Sequence, residues 1–229
     1  MVYYIPEPDV IYRPSGELER FLSMDALPEK ASKAIRALSV DPNIKDVEMR
    51  LMEVFIFDNR DPGKGDIYLL ALVADGLAPE PLNLVVKGFE GVGDNEALQI
   101  GPGGLTIYRN PQGNIPRFLD YRIMVMESDQ ELRDAGELVE EIRGKDQFKL
   151  IKDSLIAMAG VGAPIPALIS SAVDLLMGLI SQVLKMNKDD QIIYIAGSFN
   201  DRIDDLGVRY GLIAQKNRYA KVTYQVLAA

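Results

Sequence analysis

Three aspartates and an asparagine fall within nine residues at Asp58-Asn59-Arg60-Asp61-Pro62-Gly63-Lys64-Gly65-Asp66. The stretch lies between two strand-like runs, Val54–Phe57 and Ile67–Val73. A second cluster, Glu127-Ser128-Asp129 followed by Asp134, sits at the end of a third such run, Arg122–Met126. Carboxylates crowded into loops at strand ends are the hard oxygen donors that calcium takes, about six to eight at a time, together with carbonyls and water. Neither loop supplies that number alone, and the first lacks the bidentate glutamate that closes an EF-hand. Two loops meeting at one end of a β-structure would set Asp58, Asn59, Asp61 and Asp66 against Glu127, Asp129 and Asp134. The same residues also have a plainer use. Asp, Asn, Gly and Pro are favoured in turns for backbone reasons alone, and Asp129 suits the N-cap of a following helix. Both readings stay open at this point. A third acidic segment, Asn200-Asp-Arg-Ile-Asp-Asp205, joins two late strands and ranks below them.

Composition narrows the remaining chemistry. The 229 residues include no histidine, cysteine or tryptophan. That removes Ser-His-Asp and Cys-His catalysis, thiolate zinc sites and disulfides. Paired carboxylates suit glycoside hydrolysis, but without tryptophan and with 7% aromatic residues a sugar platform is poorly provided. Ser154 two residues after Lys152 lacks the context of a serine–lysine pair, and Gly101-Pro-Gly-Gly104 is a hairpin turn instead of a phosphate loop. The expectation is a non-enzymatic protein. A net charge of −9 argues against nucleic acid, which demands a clustered basic surface. Met1–Asp9 carries no basic region followed by an apolar run, so no signal peptide is read there. The implied location is the cytoplasm, or a chain whose leader has been removed.

These loops need elements to hold them. Pro28–Leu38 reads as a short helix within an N-terminal segment, 1–45, with Ala31, Ile35 and Leu38 on one face. From Val47 the period becomes two, with Val47, Met49, Leu51, Glu53, Phe55 and Phe57 alternating with Glu48, Arg50, Met52, Val54 and Ile56, and the strand becomes apolar on both faces towards its end. Further strands are expected at Ile67–Asp75, Leu82–Lys87, Ala97–Ile100, Leu105–Arg109 and Phe118–Met126, separated by Gly, Pro and Asn turns. The strand pattern returns at Gln191–Ala196, Val208–Ala214 and Tyr219–Leu227. Short strands with frequent turns imply a mainly β fold: an antiparallel sandwich of about eight strands over 46–128 and 190–229. Between them, 129–189 reads as a helical insertion.

The acidic loops resemble those of a C2 domain, a calcium-dependent sandwich module. Asp61-Pro-Gly-Lys-Gly-Asp66-Ile-Tyr68 is similar to that family's first loop, and Glu127-Ser-Asp129 with Asp134-Ala-Gly136 to its third. Ile67 stands where the family carries a proline, and Glu127 where it carries an aspartate. The resemblance spans about twenty residues. It implies Asp61, Asp66, Glu127, Asp129 and Asp134 as calcium ligands, with recruitment of a protein or of a membrane surface in a calcium-dependent manner.

The insertion raises a second possibility. Ile165–Leu184, IPALISSAVDLLMGLISQVL, carries a single charge, Asp174, and approaches the ~20 apolar residues that span a bilayer. With Asp153–Ala159 it would form an apolar helical hairpin about Gly160–Pro164. Asp174 at mid-span, with Ser170, Ser171, Ser181 and Gln182, is costly in lipid and favours burial or a homo-oligomer interface. The alternative function is therefore structural, or membrane-active and toxin-like.

Overall fold

A computed structural model describes residues 11–12, 46–75, 77, 80–110, 113–128, 135–160, 173–174, 176, 178, 190–201 and 204–228. The helix expected at Pro28–Leu38, the bend after Gly160, most of Ile165–Leu184, and both Asp129 and Asp134 lie outside those residues.

Ten strands occur among the described residues: β1 (Ile11–Tyr12), β2 (Val47–Ile56), β3 (Gly65–Ala74), β4 (Leu82–Val92), β5 (Glu96–Ala97), β6 (Leu105–Arg109), β7 (Phe118–Ser128), β8 (Asp190–Asn200), β9 (Ile213–Lys216) and β10 (Ala220–Ala228). They form two sheets, ordered β1-β8-β7-β3-β4 and β5-β2-β10-β9, with β6 also on β2. All pairings are antiparallel except the two-residue β1 on β8.

The sheets share one core. Met49, Leu51 and Ile56 from the second sheet meet Ile67, Leu69, Ile123, Val125 and Ile195 from the first, and β10 adds Val222, Tyr224 and Val226. Strands β3 and β7 are buried on both faces, since their run of apolar residues is covered twice. The second cover is helical. Leu138 and Ile142 of α1 (Ala135–Gly144), Phe148 and Leu155 of α2 (Asp146–Gly160), and Val173 and Leu176 close over Tyr68, Leu70, Leu72, Met124 and Met126. Spacings of three, four and seven residues put each pair on one helix face. These buried apolar residues of the insertion thus lie on the outer face of the first sheet, while Leu150 is exposed. Among the described residues, no helix is long and apolar enough to cross a membrane.

Three local expectations need correction. The inward face of β2 is not Val47 through Phe57 in strict alternation. Val47, Met49 and Leu51 point inward, but so do Val54 and Ile56, while Glu53 and Phe55 are only half-buried. The register against β10 jumps from Glu53↔Thr223 to Leu51↔Tyr224, so Met52 is an extra residue that switches the parity. Gly104 accommodates this bulge. Its φ is +75°, and any Cβ there would overlap the Leu51 carbonyl. The strand expected at Val208–Ala214 is instead a 3-10 segment, Asp205–Tyr210, followed by β9. Asp205, Leu206 and Gly207 take positive φ there, which drops Leu206, fully buried, into the core. Lastly, β7 runs to Ser128, two residues past the strand end expected at Met126.

Candidate functional site

The loop 58–66 crosses from the second sheet to the first. At its start, the Phe57 and Asp58 amides donate to the Tyr219 carbonyl at 2.6 and 3.2 Å. At its end, Gly65 opens β3 and pairs with Val92, while Asp66 and Ile67 stand opposite Ser128 and Glu127 of β7. Sheet register therefore brings the start of the second acidic cluster to the end of the first.

The centre of the loop is Asn59, which is fully buried. Its Nδ2 donates to the carbonyls of Gly63 (3.0 Å) and Val92 (2.9 Å), and its Oδ1 accepts from the Asp61 amide at 3.1 Å. The Asp94 carboxylate accepts from the Asn59 amide at 2.9 Å, tying the neighbouring hairpin to the loop. Asn59 thus organises the loop, and its side-chain oxygen faces backbone, not a ligand. Asp58 is exposed and its Oδ1 accepts from the Arg60 amide at 2.8 Å. Arg60, at φ 72°, turns its guanidinium to the Gln191 carbonyl (3.0 Å) and over the Tyr219 ring. Asp66 is half-buried and accepts from the Gly91 amide at 2.9 Å.

Asp61 and Glu127 flank Gly65. A Cβ built on Gly65 would lie 3.4 Å from Glu127 Cγ and Oε1 and 3.5 Å from Asp61 Cβ. Glu127 is buried at 2% exposure, whereas Asp61 is open to solvent. Among the described residues, no group of three or more Asp, Glu, His or Cys is gathered closely enough to hold a metal ion. The third acidic segment is elsewhere. Asn200 pairs with Phe118 and Asp190 with Glu127, so the whole length of β7, about 30 Å at ~3.3 Å per residue, separates them. There Asp204 is buried and its carboxylate accepts from the Asn200 amide at 2.6 Å, capping the turn.

Two buried polar assemblies lay beyond sequence reasoning. Under the helical layer, Arg122 of β7 is 3% exposed and ion-paired to Asp120 at 2.5 Å and to Asp174 at 2.7 Å. The one charge of the apolar run thereby docks its helix on the sheet. Beside it, burial pushes the Tyr194 phenol up to about 12. At the far end of β3, Asp75 is 2% exposed and accepts from the Tyr108 hydroxyl at 2.9 Å and the Leu77 amide at 2.8 Å, joining the two sheets. Burial raises the Asp75 carboxyl, with these donors partly offsetting it; burial and the Asp75 charge also raise Tyr108. The signals available were an aspartate ending an apolar run and a lone charge inside another. Neither names its partner.

No protein-family model matches the chain, and no curated protein matches it.

Proposed function

We infer that the protein is a non-enzymatic binding module whose acidic end takes calcium beside Gly65, and so presents a partner-binding surface. The observation that carries this reading is the approach of Asp61 and Glu127 to the same glycine. A side chain at Gly65 would pack against the Glu127 carboxylate and the Asp61 Cβ. The ligand set is narrower than the loops offer. Asp58, Asp66 and Asp94 already accept backbone amides, and Asn59 is spent on the loop itself. Asp61 and Glu127 are the core of the site, with Asp129 and Asp134 as the further carboxylates the sequence supplies directly after β7. Loop carbonyls and water complete the shell, as calcium's flexible coordination allows. Few protein carboxylates place the affinity in the weak class, with a Kd on the order of 10⁻⁴–10⁻³ M.

Thermal unfolding in a calcium titration tests this. Calcium at 100-fold over its dissociation constant is expected to stabilise by about 2.7 kcal/mol, while equal magnesium does so less. Asp61→Asn with Asp129→Asn is expected to remove the shift and leave the calcium-free unfolding temperature nearly unchanged. No shift at 10 mM calcium, or an undiminished shift in that variant, would overturn the assignment.

A further inference from the structure

The chain is acidic, yet one cleft carries three cations against a single carboxylate. It encloses about 430 Å³ between the start of β4 and the α1–α2 corner. Arg143, Lys149 and Lys152 face Glu80, and Leu82, Leu84 and Phe148 form an apolar floor with Asn83 beside it. The three apolar side chains are 6–8% exposed, so the floor is firm. Lys152 is committed to Glu80, at 2.7 Å from Oε1. Arg143 and Lys149 make no ion pair with any described residue, although both are exposed in a chain of net charge −9. Arg143 lies in the last turn of α1, where a cation is favoured by the helix dipole alone. That accounts for one of the three; it does not account for Lys149 in the first turn of α2, where the helix dipole disfavours a cation.

The volume is that of a small-molecule site, which combines an apolar lining with a few convergent polar groups. Two uncommitted cations, with a third held nearby by one carboxylate, match a dianion better than a monoanion. The planar fork of arginine suits phosphate oxygens in particular. The position is also separate from the acidic end. Leu82 and Leu84 pair with Ala74 and Leu72, whereas Gly65 begins the same β3 strand about 30 Å away at ~3.3 Å per residue.

We propose that this cleft binds a small organic phosphomonoester, with the phosphate between Arg143 and Lys149 and an apolar or aromatic body on Phe148, Leu82 and Leu84. Asn83 and Glu80 are placed to hydrogen-bond polar groups on that body. Phosphate alone is available from three sources, inorganic phosphate, soluble esters and lipid headgroups; the apolar floor favours an ester over inorganic phosphate, and the volume of about 430 Å³ fits a small soluble one.

Phenyl phosphate, inorganic phosphate and phenol, each titrated calorimetrically into the intact protein at low salt, separate these. Phenyl phosphate is expected to bind at least tenfold more tightly than either fragment and to weaken as salt rises. Arg143→Gln with Lys149→Gln, both at exposed positions, is expected to cut its affinity at least tenfold while the circular dichroism spectrum and unfolding temperature stay the same. Lys152→Gln is expected to have the smaller effect. Absence of phenyl phosphate binding at 10 mM, equal binding by the double variant, or equal binding of inorganic phosphate would each overturn the proposal. So would cosedimentation with phosphatidic acid vesicles in a protein that ignores phenyl phosphate.

Discussion

A single carboxylate oxygen of Asp174 accepts two hydrogen bonds from Arg122, from Nε at 2.9 Å and from Nη2 at 2.7 Å. The two residues lie 52 positions apart, one in the central strand β7 and one in the helical layer above it. Arg122 is nearly inaccessible, while the Asp174 side chain is 56% exposed. The pair is therefore unequal, and so are its expected mutational costs. Asp174→Asn keeps one acceptor near a guanidinium that still faces Asp120, and a half-exposed ion pair is worth about 0–1 kcal/mol. Arg122→Met takes the cation from beside the buried Asp120 carboxylate, a loss of about 3–5 kcal/mol. Urea unfolding of the two variants reads the difference; equal losses would refute the asymmetry.

The Asp75–Tyr108 contact makes a statement about pH. The Asp75 carboxyl is raised in the folded state, so the unfolded chain gives up that proton first as pH increases. Its favourable contribution is complete below the unfolded value of 3.8 and is lost as pH climbs through the higher folded value. Glu48 runs the other way. The Arg50 hydrogen bond holds it low, and its contribution is lost as pH falls through the folded value. Asp75→Asn retains an acceptor for the Tyr108 hydroxyl without the charge. Its stability relative to wild type is expected to improve steadily above pH 4, and a flat difference curve in urea titrations would contradict this.

Gly197 lies where the Tyr121 ring crosses β8. A Cβ on it would overlap the ring and hydroxyl of that tyrosine. Tyr121 cannot easily give way, because it stacks on Phe199 at 5.1 Å and shares a 2.8 Å hydrogen bond with the Tyr224 hydroxyl. Gly197→Ala is expected to cost about 1–3 kcal/mol by overpacking. In a Tyr121→Leu background the same change is expected to cost far less. Additive losses in that double-mutant cycle would show that the ring is not the obstacle.

Asn59 supplies the fourth test. Asn59→Ala removes three side-chain hydrogen bonds to backbone, at about 0.5–1.5 kcal/mol each, so a total near 2–3 kcal/mol is expected. Asp58→Ala, at an exposed position, is expected to stay within about 0.5 kcal/mol. Limited proteolysis should find the Asn59 variant newly cleaved within 58–66. An intact loop in that variant would mean that its shape comes from glycine and proline alone.

The strands that the sequence made legible are those whose signal is local. Leu105–Arg109 is read from its alternation and flanking turns and is found at those bounds as β6, and Tyr219–Leu227 falls one residue from β10. What stayed hidden depends on partners far along the chain. Met52 interrupts the pattern of β2 only because Tyr224 pairs with Leu51, and nothing in Arg50–Val54 announces it. The strand expected from Val208 begins only at Ile213, because the positive φ at Asp205, Leu206 and Gly207 serves tertiary packing. The acidic loop was legible as a loop. Its internal division of labour, with Asn59 buried and Asp61 facing outward, required the backbone itself.

Glu127 and Asp190 face each other across two adjacent antiparallel strands. To the sheet, then, the stretch 129–189 is only the tip of a β-hairpin, and lengthening a tip costs closure entropy that grows merely with the logarithm of its length. Among the described residues, the two sheets share one core and the helical layer covers the outer face of the first. An engineer who exchanged the tip for a tight Asn-Gly turn would inherit an uncovered floor of Tyr68, Leu70, Leu72, Met124 and Met126, and would have to repaint it with polar residues before the smaller protein stayed in solution.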